Sequence, residues 1–345
     1  MNSFAHGLNS GLLHISARMD VMASQNYPVL SSLKLSALDR VWMLSLNEAQ
    51  LAALDRTPVS ILRFTMSRNM YDLPTDANFA KASFNNYMMA ESINFIHSSQ
   101  SDPFLSLGIG QESLEWYTSK GFMERIGICD HESFDVRIRV DTKRLRKDMS
   151  PEASLINTCL ILSTELNYRI KESGNDYNGY IKDYGTQLHE SQIQMREMLK
   201  AGVRGSLVAA ATSQNTRDIV NLVRRLQKSG LEISNARGRL QTPDTVFKAY
   251  RLQSELFMLM YRIVGANVKH ALNSKAALHA YRQLAFMLDY MGYEKSKRLS
   301  INDCIVLANG VLSGALLATK CQTCGMNYTI NPDRRDNHCP FCQAK

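Results

Sequence analysis

Four cysteines close this 345-residue chain in two pairs, Cys321-x-x-Cys324 and Cys339-x-x-Cys342, with fourteen residues between the pairs. Thiolates at this spacing form the ligand set of a structural zinc site. Four soft donors take the corners of a tetrahedron, and each C-x-x-C turn puts two sulfurs on one side of the ion with backbone amides aimed at them. Gly325 follows the first pair directly and permits the tight turn of a knuckle. Disulfides are the competing use of such cysteines. They belong to oxidising compartments, and the N-terminus carries no basic-then-apolar secretion signal. The sequence therefore reads as a soluble, cytoplasmic protein with reduced thiols. His338, beside Cys339, is a substitute donor, but four cysteines already suffice. A closed four-Cys site leaves no open coordination position, so one structural Zn2+ per chain would serve folding and presentation, not catalysis.

No other constellation points to bond-breaking chemistry. The chain has no Gly-x-x-x-x-Gly-Lys-Ser/Thr phosphate loop, no His-Glu-x-x-His and no Gly-x-Ser-x-Gly. His14, His97, His189 and His270 are dispersed without ligand spacing, and "LGIGQESL" (107–114) lacks the strand a dinucleotide loop needs. Cys129, Cys159 and Cys304 sit in apolar stretches and read as small core residues. The expectation is a protein that is not an enzyme and has no small-molecule substrate. Its longest apolar run, about 304–318, holds two glycines and is too short to span a bilayer, so no membrane association is expected.

The charge gives a second kind of chemistry. Residues 181–345 hold 23 Lys and Arg against 12 Asp and Glu, a net of +11, whereas residues 1–180 hold 17 against 20, a net of −3, which together give the +8 of the whole chain. A basic half joined to a mildly acidic one fits division of labour, with the basic half facing a polyanion such as double-stranded DNA and the other half packing against protein. A basic surface that only aids solubility is the plainer alternative. The candidate DNA-contacting residues are Arg224, Arg225, Lys228, Arg237 and Arg239, together with Arg334 and Arg335 in the loop between the cysteine pairs. Each one taken singly can also belong to a solvated basic face.

The elements that must position these groups read as helices. "TRDIVNLVRRLQKSG" (216–230) has Thr216 as its N-cap, Gly230 as its stop, and Ile219, Leu222, Val223 and Leu226 on one face. "LEISNARGRLQ" follows, and Thr242-Pro243-Asp244 then opens a helix to 265 whose aliphatic and Met content marks it as core. This succession is either a helix-turn-helix reader or two bundle helices with solvated basic faces. Ser300 and Asp303 resemble a capping box at the start of an apolar helix over 301–318.

The acidic half repeats itself. "SQNYPVLSS" (24–32) and "SQSDPFLSL" (99–107) share five of their first eight positions, 75 residues apart. The register holds on both sides. "GLLHISARMDVMA" (11–23) lies over "NYMMAESINFIHS" (86–98), each with apolar residues at helical spacing and each followed by a proline that blocks continuation. "LNEAQLAALDRTPVSILRF" (46–64) lies over "GFMERIGICDHESFDVRIR" (121–139), where Asp55 falls on Asp130, and Val59 and Ile61 fall on Phe134 and Val136 in a strand-like alternation. Two units of helix, turn, helices and short strand fill the chain to about 170. The second continues through a helix that opens at Ser150-Pro151. The polar stretch 171–187 reads as a linker.

With these residues in place, the basic half resembles FlhC, a subunit of the bacterial flagellar master transcription activator family. The resemblance covers about 190–345 and rests on "ARGRL" (236–240), "FKAYRL" (247–252), the apolar helix and the four cysteines. It implies that Cys321, Cys324, Cys339 and Cys342 bind zinc. Residues 84–168 resemble the partner subunit FlhD through "NYMMAESINFI", "FLSLGI", "FDVRIR" and "INTCLILSTELN", and residues 8–66 do so more weakly. FlhD and FlhC are normally separate chains. The family complex holds two FlhD per FlhC, the ratio that one D–D–C chain supplies, and a homodimer would rebuild the whole assembly with an association made intramolecular.

The expected architecture is mostly α: FlhD-like repeats over 1–80 and 81–172, a linker at 173–188, an FlhC-like helical domain over 189–318 and a zinc module over 319–345. The expected function is a DNA-binding transcription activator that acts as a dimer on a long pseudo-palindromic upstream site. A contact to RNA polymerase is implied by the resemblance alone. The rival is a protein-binding modulator of FlhDC-type complexes that reads no DNA. An enzyme carrying a zinc ribbon is the third reading, and it lacks a polar catalytic cluster.

Overall fold

The computed structural model describes residues 9, 11–13, 37–66, 79–131, 133–173, 177, 179–181, 188–233, 240–265, 272–334 and 338–343. The chain is mostly helical and forms two compact units, Met1–Glu165 with Tyr290–Gly292, and Leu166–Asp289 with Tyr293–Lys345. The division falls inside one helix, not in the polar stretch read as a linker. Among the described residues no helix is long and apolar enough to cross a membrane.

In the first unit, α1 (Ala37–Leu44) and α2 (Glu48–Asp55) lead to strand β1 (Leu62–Thr65). Asn47 and Gln50 cap α2 reciprocally, each side chain accepting the other's amide. Then come α3 (Phe79–Ser99), α4 (Pro103–Leu107), α5 (Gln111–Thr118), α6 (Phe122–Asp130), β2 (Asp135–Ile138) and α7 (Pro151–Ser173). Helix α3 packs along α6, and the Asn85 amide reaches the Cys129 carbonyl at 3.0 Å.

The repeated phrase marks a corner between helices. Helix α3 stops at Ser99, Gln100 takes a left-handed φ of 54°, and Asp102 accepts the Leu105 amide at 2.9 Å to start α4, with Pro103 at its first position. The first copy of the phrase lies outside the described residues, as does most of the helix read over 11–23, of which residues 11–13 are helical.

The two strand-like segments pair with one another. β1 runs antiparallel to β2, from Leu62 opposite Ile138 to Thr65 opposite Asp135. A two-fold axis set between the Leu62–Ile138 and Arg63–Arg137 pairs carries Leu62 onto Arg137 and Arg63 onto Ile138, each 75 residues along. That is the offset of the sequence repeat. The sheet is backed by buried charge. Arg139 donates to the carbonyls of Ser60 (2.7 Å), Leu105 (3.0 Å) and Ser106 (2.7 Å). Glu165 lies 3.8 Å from both the Arg63 and the Arg139 guanidinium.

The second unit contains α8 (Leu188–Lys200), α9 (Gly205–Thr212), α10 (Thr216–Lys228), α11 (Pro243–Ala249), α12 (Arg251–Gly265), α13 (Ser274–Tyr290), α14 (Ile301–Leu312), the hairpin β3 (Leu317–Lys320) and β4 (Asn327–Ile330), and the single turn α15 (Pro340–Gln343). Its core is α12, in which every residue from Gln253 to Tyr261 is buried. The Ser300–Asp303 capping box forms as read.

Three readings shift. The helix expected over 242–265 breaks at Tyr250 (φ −129°, ψ 45°) into α11 and α12. The helix expected over 301–318 ends at Leu312, because Gly314 turns left-handed and Leu317 begins β3. The cap of α10 is Asn215, whose side chain accepts the Arg217 amide, and not Thr216.

Four described residues of the presumed linker are strapped to α12. The amides of Tyr180 and Ile181 both donate to the Val264 carbonyl, and the Tyr177 hydroxyl donates to Ile263. They supply donors to carbonyls that a helix end leaves unsatisfied. A Cβ on Gly179 would stand 2.6 Å from the Gly265 nitrogen, so only glycine permits this approach.

Candidate metal centre and basic helix

The first cysteine pair occupies the turn of the β3–β4 hairpin, and the second lies at and within α15. The Gly325 amide closes the knuckle on the Cys321 carbonyl at 2.8 Å, and the Cys321 amide donates to Met326 at 2.9 Å. Gly325 has φ +69°, the left-handed conformation that its lack of a Cβ makes accessible.

Cys321 Sγ lies 3.7 Å from Cys342 Sγ, and Cys324 Sγ lies 3.5 Å from Cys339 Sγ. All four sulfurs stand within 4.8 Å of one another, and none is in a disulfide. A bonded sulfur pair would be about 2.05 Å apart. Four sulfurs around a central ion at a metal–sulfur length of about 2.3 Å stand about 3.8 Å apart. The cluster therefore has the dimensions to hold a metal ion.

Its electrostatics differ from thiol to thiol. Burial raises the Cys321 thiol, but the Cys324 and Thr323 amides and the neighbouring thiols outweigh it and bring it down to about 6. Burial then pushes Cys342 up to about 11 and Cys339 higher still, and the interaction with Cys324 adds to both. One thiolate forms readily and the next ones are opposed. A dication held by Cys321, Cys324, Cys339 and Cys342 would reverse that balance.

The module is held by residues that the sequence reading did not single out. Glu255 of α12, 1% exposed, accepts the Thr329 amide of β4. Arg251, one turn earlier and 3.4 Å from Glu255, donates to the carbonyls of Thr329 and His338 and stacks over the Phe247 ring at 4.2 Å. Asp244 of α11 takes the Asn331 amide at 2.7 Å and pairs with Arg334. Asn167, in the last part of α7 that belongs to the second unit, donates to the Gly325 carbonyl and accepts from Asn327, both at 3.0 Å. The available signal was an Arg–Glu pair at i, i+4 at the start of the largely apolar run "RLQSELFMLMYRIVG".

The candidate DNA contacts fall into three groups. Arg224, Arg225 and Lys228 are exposed on α10, and none has an acidic partner among the described residues. Arg334 spends its guanidinium on Asp244. Arg237, Arg239 and Arg335 lie outside the described residues.

Helix α10 is joined to a helix, but on the side opposite to the one the sequence suggested. The connection that follows it, 229–242, is long, whereas Ser213, Gln214 and Asn215 alone separate it from α9. Ser213 is left-handed (φ 52°) and turns the chain. Both helices pack on α8 and on each other, and a Cβ on Gly205 would meet Ile219 at 3.2 Å. The corner before α9 is pinned by Asn302 of α14, which accepts the Arg204 amide at 2.8 Å and donates to Gly202 at 3.2 Å. Cys129, Cys159 and Cys304 are all buried, as core residues should be.

Comparison of the chain with models of known protein families and with curated protein sequences gives no match to either.

Proposed function

We propose that this protein is a zinc-containing, DNA-binding transcription activator, a fused FlhDC-like regulator that acts as a homodimer on a long upstream site and contacts RNA polymerase. The observation that carries the reading is α10. It presents Arg224, Arg225 and Lys228 to solvent without acidic partners among the described residues, in the half of the chain with a net charge of +11. Cations left free in this way neutralise phosphates and make binding steeply salt-dependent. The matching of β1 to β2 about an axis with the repeat's offset supports two related units ahead of the basic half. The four-thiolate cluster is assigned to zinc because soft ligands in a closed tetrahedron select it.

A second reading, a protein-binding modulator that reads no DNA, is favoured by one feature of the first unit. Helix α1 exposes Leu38, Val41 and Leu44 at successive turns. The discriminating experiment is selection of duplex DNA from a random pool by the purified protein at low and moderate salt, beside a Cys321→Ser/Cys324→Ser variant. One long motif with dyad symmetry, lost in the variant, supports the activator. Binding without a motif that vanishes as salt rises overturns it in favour of the modulator.

A further inference from the structure

We propose that Arg217, Val220, Asn221 and Arg224 of α10 are the base-reading residues, and that α9, the turn Ser213–Asn215 and α10 carry them into the major groove as a helix-turn-helix. The inference rests on the DNA-binding reading above and gives that site its specificity.

Two helices joined by a three-residue turn, with the second one exposed, form the scaffold that presents a reading helix. The second helix must be anchored on one side only. At about 100° per residue, Arg217, Asn221, Arg224 and Lys228 share one narrow stripe of α10, and Val220 borders it. Ile219 and Leu226, the two buried residues of the helix, lie about 180° from that stripe. Every residue of the stripe is exposed, and Val220 is 43% exposed despite its apolar side chain. A buried aliphatic pair on one side and an exposed valine among cations on the other is the pattern of a helix whose outer face meets a partner.

The chemistry of the stripe matches base edges. Arginine bonds guanine through two acceptors, asparagine bonds adenine through a donor and an acceptor, and a small apolar side chain meets the thymine methyl. Arg217, Val220 and Asn221 occupy the first half of α10, the part of a reading helix that approaches the bases. From Arg217 to Arg224 the helix rises about 10 Å, the span of about three base-pair steps. Arg225 and Lys228, near its C-terminal end, are left to meet phosphates. Asp218 is the only acidic residue of α10 and lies off the stripe.

The test uses the full-length, metal-loaded protein and duplex DNA, comparing wild type with Arg217→Ala, Asn221→Ala, Asn221→Asp and Arg225→Ala in motif selection and competition binding. Metal content and helical circular dichroism confirm that each variant is folded. Asn221→Ala should lose discrimination of about 5- to 150-fold at one A·T pair per half-site, and Arg217→Ala the same at a neighbouring G·C pair. Asn221→Asp should switch preference at its position from adenine to cytosine. Arg225→Ala should keep the motif and weaken binding uniformly, with a shallower salt slope. An unchanged motif in the Arg217 and Asn221 variants would overturn the inference and leave the DNA-binding reading standing. A wild-type protein that selects no motif would overturn both.

Discussion

Glu255 accepts the Thr329 backbone amide on both carboxylate oxygens, at 3.1 and 2.9 Å, across a separation of 74 residues. This contact joins the core helix of the second unit to the strand that carries the knuckle, and it places a carboxylate where water does not reach. Burial raises the Glu255 pKa from 4.5 to about 7, against the lowering effects of Arg251, the Thr329 amide and Arg262.

That shift sets the sign of a pH dependence. An unfolded glutamate loses its proton near pH 4.5, whereas the folded one keeps it until about 7. The unfolded state therefore binds fewer protons in between, and stability falls as pH rises through that window. The whole effect is about 3 kcal/mol. Glu255→Gln removes it. The urea stability of the wild type relative to Glu255→Gln, both metal-loaded, should decline between pH 5.5 and 7.5 and then level off. A difference that stays flat across that range would sink the argument.

The cysteine cluster predicts one zinc ion per chain, lost on substitution of Cys339 by Ser. Strands of four residues each and one turn of helix cannot bury enough surface to hold themselves together. Metal binding is therefore the folding energy of the module, on the order of 10 kcal/mol for such sites. A chelator should render 317–343 sensitive to limited proteolysis while leaving the segment 79–165 protected. Elemental analysis and mass-spectrometric mapping of the cut sites check both halves, and a protease-resistant module without metal would refute the assignment.

What the sequence made legible was local. The four thiolates are announced by spacing alone. The Ser300–Asp303 box and the Ser150–Pro151 start are written within four residues of the groups they satisfy, and Ser150 does accept the Ala153 amide at 3.1 Å. The Tyr250 break was not legible, since no glycine or proline marks it. The clamp of Arg251, Glu255 and Asp244 was legible only as the i, i+4 pair of Arg251 and Glu255, because each contact to the metal module spans about 70 to 90 residues. The same limit hid the three-residue turn between α9 and α10. That turn depends on Ser213 adopting a conformation that serine rarely takes.

Arg139 should be among the most sensitive positions of the first unit. Its guanidinium satisfies three backbone carbonyls, Ser60 before β1 and Leu105 and Ser106 at the corner after α3, and it stands beside the buried Glu165. Arg139→Met removes those donors and leaves a buried carboxylate with one cation fewer. The cost expected is about 3–5 kcal/mol. Arg139→Lys should recover little of it, since an ammonium lacks the planar fork that reaches all three oxygens. Denaturant midpoints of the two variants decide the matter, and an Arg139→Met protein within about 1 kcal/mol of wild type would contradict it.

Gly310 reports how closely α14 approaches α11. A Cβ built there would stand 2.6 Å from the Pro243 Cβ, 3.0 Å from its Cγ and 3.2 Å from Leu316 Cδ1. Alanine is the better helix former, so on an open surface Gly310→Ala would stabilise α14 by about 1 kcal/mol. Here neither the proline ring nor the helix that carries it has a flexible end to move, and overpacking should dominate at about 1–3 kcal/mol of destabilisation. Because α11 also supplies Asp244 to Asn331 and Arg334, a shift of that helix should reach the metal module. The expected result is a lower melting temperature together with faster zinc loss to a chelator. Pro243→Ala, which clears the ring, should reverse part of both in the double variant. A Gly310→Ala protein that is more stable than wild type would show that the two helices are not in contact at this point.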